Sequence, residues 1–93
     1  MLRIDRVADG GSTVLKLSGR IEEEYLAQLR SEIEQSGNAP KLDLRDVSLV
    51  DRSSVRFLTR CESHGIQLVN CPLYVQEWLL RERRRADSRD DNV

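Results

Sequence analysis

The stretch from Leu42 to Leu58 constrains this chain more than any other. Leu42 and Leu44 alternate with polar residues, and Val47, Leu49 and Val50 follow. Alternation of period two is the mark of a strand with one buried face. Asp51, Arg52, Ser53 and Ser54 come next, and then Val55, Leu58 and Cys61 at helical spacing. The stretch therefore reads as a strand, a capping cluster and a helix. A helix start carries unpaired N–H groups and partial positive charge. Such a place holds a phosphate, presents a hydroxyl for phosphorylation, or is only capped.

The flanking segments complete the pattern. Leu2, Ile4 and Val7, then Val14, Leu15 and Leu17, are two short strands around Gly10-Gly11, a hairpin. Glu22 to Gln35 reads as a helix, with Leu26, Leu29 and Ile33 on one stripe and acids in its first turn. Ser36-Gly37-Asn38 ends it. Lys41–Leu44 is the third strand and Ser53–Ser63 the second helix. Ile66, Leu68 and Val69 form a fourth strand after Gly65. Pro72 opens a third helix, whose buried face is Val75, Trp78 and Leu79. Beyond Arg81 the apolar period is lost, so the reading is a domain over 1–83 and a disordered charged tail over 84–93. The order is ββαβαβα. An α/β fold follows, with a mixed four-stranded sheet, a hairpin edge and helices packed mainly on one face.

Bulk properties narrow the function. Ninety-three residues make one domain with a small core. A formal net charge of −1 gives no general pull toward nucleic acid or anionic lipid. No apolar run approaches membrane-spanning length, and the first residues read as a strand rather than a signal peptide, so a cytoplasmic protein is expected. Cys61, His64 and Cys71 offer three metal-ligand types without a fourth, and the two cysteines read as free thiols. No phosphate loop and no nucleophile–histidine–acid set is legible, so neither catalysis nor a cofactor is expected.

Three segments in order resemble the STAS domain, the module named for sulfate transporters and anti-sigma factor antagonists. They are Leu15–Ile21, Leu42–Asp51, and Ile66–Pro72 with Val75 and Leu79. In that family the phosphorylated serine directly follows an aspartate, in an Asp-Ser-Ser-Gly pattern. The corresponding residues here are Asp51, Arg52, Ser53 and Ser54. Arginine stands at the phosphoserine position and accepts no phosphate. The resemblance thus implies a STAS-like ββαβαβα module that has lost the standard switch or moved it to Ser53 or Ser54.

The same resemblance implies a non-catalytic, protein-binding role in a bacterial cytoplasm. The partner is an anti-sigma factor or a kinase-like regulator, and the surface is Asp51, Arg52, Ser53, Ser54 and Arg56, with Arg20 nearby. Helix capping alone is the favoured reading of Asp51, Ser53 and Ser54 taken residue by residue. A STAS subunit packed on a lipid-transport ATPase is the alternative partner arrangement, and a homodimer is a further one. Family members carry a further strand and helix where this chain has charged residues. Leu73, Tyr74 and Leu80 are therefore expected to be exposed. The arginines of 81–85 are interleaved with acids and read as solvated rather than as a nucleic-acid contact.

Overall fold

The computed structural model describes residues 1–37 and 40–91, with side chains described through Arg85. Strand β1 (Leu2–Asp9) pairs antiparallel with β2 (Ser12–Ile21) through the Gly10-Gly11 turn. Both turn glycines have positive φ, the region that a tight hairpin requires and that glycine enters without a Cβ clash. A 3-10 turn (Glu23–Tyr25) leads into α1 (Leu26–Gln35). Then follow β3 (Lys41–Val50), α2 (Arg52–Ser63), β4 (Gln67–Val69) and α3 (Leu73–Asp91). The sheet order is β1-β2-β3-β4, with β2, β3 and β4 mutually parallel. The fold is α/β, a mixed four-stranded sheet in the order ββαβαβα.

Both crossovers step in the same direction across the sheet. Right-handed connections then put α1 and α2 on one face. The burial pattern agrees: Leu15, Leu17, Leu42 and Leu44 are buried, while Lys16 and Arg45 are exposed. The helices add Leu29, Val55, Leu58, Val75 and Leu79 to the same core. The parallel strands never reverse their order of progression. The crevice that opens between diverging helices at such a reversal therefore has no counterpart among the described residues.

Three sequence expectations need correction. β3 does not stop at Leu44; it runs on to Val50, with register shifts against β2 at Lys16–Ser18 and Gly19–Arg20. The polar Arg45-Asp46 pair is taken up by these bulges, which let the apolar alternation resume on the buried side. Trp78 is not on the buried face of α3 but is 42% exposed, whereas Val75 and Leu79 are buried. The apolar stripe is narrower than the spacing implied, because α3 meets the core along one edge only. The charged segment expected to leave the fold as a tail instead continues α3 to Asp91. Arg84, Arg85, Ala86 and Arg89 are good helix formers, and loss of apolar period removes the reason to be buried, not the reason to be helical. Residues 92–93 and Asn38 lie outside the described residues.

The exposure expected of Leu73, Tyr74 and Leu80 is found, with Leu73 at 71%. Tyr74 still anchors its helix to the sheet, because its hydroxyl donates to the Val47 carbonyl at 2.9 Å. Arg56 and Glu82 pair at 3.2 Å between α2 and α3, and Arg83 pairs with Glu62. No described helix is long and apolar enough to cross a membrane.

Candidate functional site

The start of α2 lies at the C-terminal ends of the two central strands, where Ile21 of β2 pairs with Val50 of β3. Asp51 follows in extended conformation as the N-cap of α2. Its Oδ1 accepts the Ser54 N–H at 2.8 Å, the expected local cap. Its Oδ2 accepts the Glu23 N–H at 2.9 Å, across 28 residues of sequence. One carboxylate thus caps α2 and the 3-10 turn before α1 together. Glu22, at the cap position of that turn, supplies no side-chain hydrogen bond of its own.

A second pair of bonds closes the same junction. The Ser54 hydroxyl donates to the Ile21 carbonyl at 2.7 Å, and the Asp51 N–H donates to that carbonyl at 3.2 Å. Burial pushes the Asp51 carboxyl up, but the hydrogen bonds from Ser54 and Glu23 outweigh it and hold it below the usual carboxylate value. The anion is therefore the form the junction is built around.

These contacts divide the six candidate residues. Asp51 is half-buried and bonded through both of its oxygens. Ser54 is 0% exposed, so the expectation that it is a partner contact or a phosphorylation site is corrected. Its hydroxyl is directed inward to Ile21, and burial rather than cap type decides its role. Arg52 is exposed at the first helical position, and Ser53 beside it is half-buried. Arg56 is half-buried and bound to Glu82. Arg20 lies elsewhere: it pairs in register with Leu49, and both are exposed while their neighbours Ile21 and Val50 are buried. Strand alternation therefore places Arg20 on the face of the sheet away from α2.

Sequence reasoning missed Glu23 as a bonded member of the junction, because a long-range backbone contact leaves no local pattern. It also missed Arg30, whose guanidinium stands 6.0 Å from the Phe57 ring centre. Burial pushes the Cys61 thiol up to about 11, and it raises Cys71 as well. No protein-family model matches the chain, and no curated protein is significantly similar to it.

Proposed function

We propose that the chain is a non-catalytic protein-interaction module of STAS type, acting in a bacterial cytoplasm as an anti-sigma factor antagonist does. It binds an anti-sigma factor or kinase-like regulator without the usual serine switch. The observation that carries this reading is the exposed Arg52 at the head of α2, directly after a capping aspartate that is wholly engaged in structure. A ββαβαβα order with this strand–cap–helix junction supports the STAS resemblance. The junction holds the head of α2 rigid, and rigid presentation lowers the ordering cost of an interface. Phosphorylation at this place would require Ser53, since Ser54 is buried.

Capture from native lysate with tagged protein tests the reading. An anti-sigma or kinase-like protein retained by wild type and lost by Arg52→Glu supports it. A membrane ATPase captured instead supports the transport-subunit arrangement, in which the exposed Leu73, Trp78 and Leu80 of α3 supply the packing surface. A partner held equally by both forms refutes the assignment of the surface to the head of α2. Arg52→Ser restores the family's acceptor position, and it is expected to incorporate phosphate from a cognate kinase. No incorporation by a kinase that binds the variant would count against the alignment.

A further inference from the structure

We draw no further inference here: the strongest candidate, the cavity of about 650 Å3 between β4 and α3 where Leu73 and Leu80 stand exposed, carries no proposal, because nothing in the structure shows what covers it.

Discussion

Replacing Asp51 disconnects two helix starts at once, and the magnitude follows from its two bonds. The local cap to Ser54 contributes about 1 kcal/mol, the usual loss when a capping aspartate becomes alanine. The second bond, to the Glu23 N–H, adds about 0.5–1.5 kcal/mol. Asp51→Ala is therefore expected to cost about 1.5–2.5 kcal/mol. Asparagine caps as well as aspartate does but has a single acceptor oxygen, so Asp51→Asn is expected to lose about 1 kcal/mol. Urea unfolding followed by circular dichroism measures both. With a slope of about 1 kcal/mol/M for a small domain, the midpoint falls by about 1.5–2.5 M for alanine. The pH dependence supplies an internal check. The carboxyl of Asp51 is held low in the folded protein. Its extra stability is thus fully present above the unfolded value of about 3.9 and is lost as pH falls through the lower folded value. The gap between wild type and Asp51→Asn should be constant near neutrality and close in acid below about pH 4. A cost below about 0.5 kcal/mol for alanine, typical of a featureless surface site, would refute the double cap. So would a gap that stays open after the carboxyl is protonated.

Other expected outcomes test neighbouring parts of the structure. Ser54→Asp puts an uncompensated charge in a fully buried site and should cost about 3–5 kcal/mol, whereas Ser53→Asp at a helix start should change stability by less than about 0.5 kcal/mol; thermal unfolding of the pair distinguishes the two serines. Leu79→Ala should cost about 2–5 kcal/mol as a core truncation, and Trp78→Ala under about 1 kcal/mol, the reverse of what side-chain size suggests; equal losses in urea would contradict the placement of α3. Gly19 has φ +93°, and a Cβ there would collide with the Met1 carbonyl that accepts the Arg20 N–H. Gly19→Ala should therefore lose more than the about 1–2 kcal/mol of a left-handed conformation alone, read from the same unfolding curves.

The sequence by itself determined the element order and the position of the junction. Period-two alternation at Leu15–Leu17 and Leu42–Leu44 and helical spacing at Leu26–Ile33 and Val55–Leu58 are local signals, and each element followed them. Two helical crossovers between strands then left parallel pairing as the arrangement that buries every apolar face. Asp51 was legible as a cap because capping is also local.

Tertiary structure decided what local pattern does not encode. The full length of β3 depended on bulges that only its pairing with β2 reveals. Trp78 and Leu79 are adjacent and both apolar, and only the line along which α3 meets α2 and the sheet leaves one exposed and the other buried. Ser53 and Ser54 are the same residue type at successive positions. A rotation of about 100° around a helix of 3.6 residues per turn separates Ser53, which lines a cavity between α1 and α2, from Ser54, whose hydroxyl is locked to Ile21. The second oxygen of Asp51 bonds a backbone N–H 28 residues away, and Arg30 of α1 and Arg60 of α2 line one cavity from two different helices. Such pairings depend on how the helices are laid on the sheet, which is fixed by the packing of the whole core rather than by any one segment of the chain.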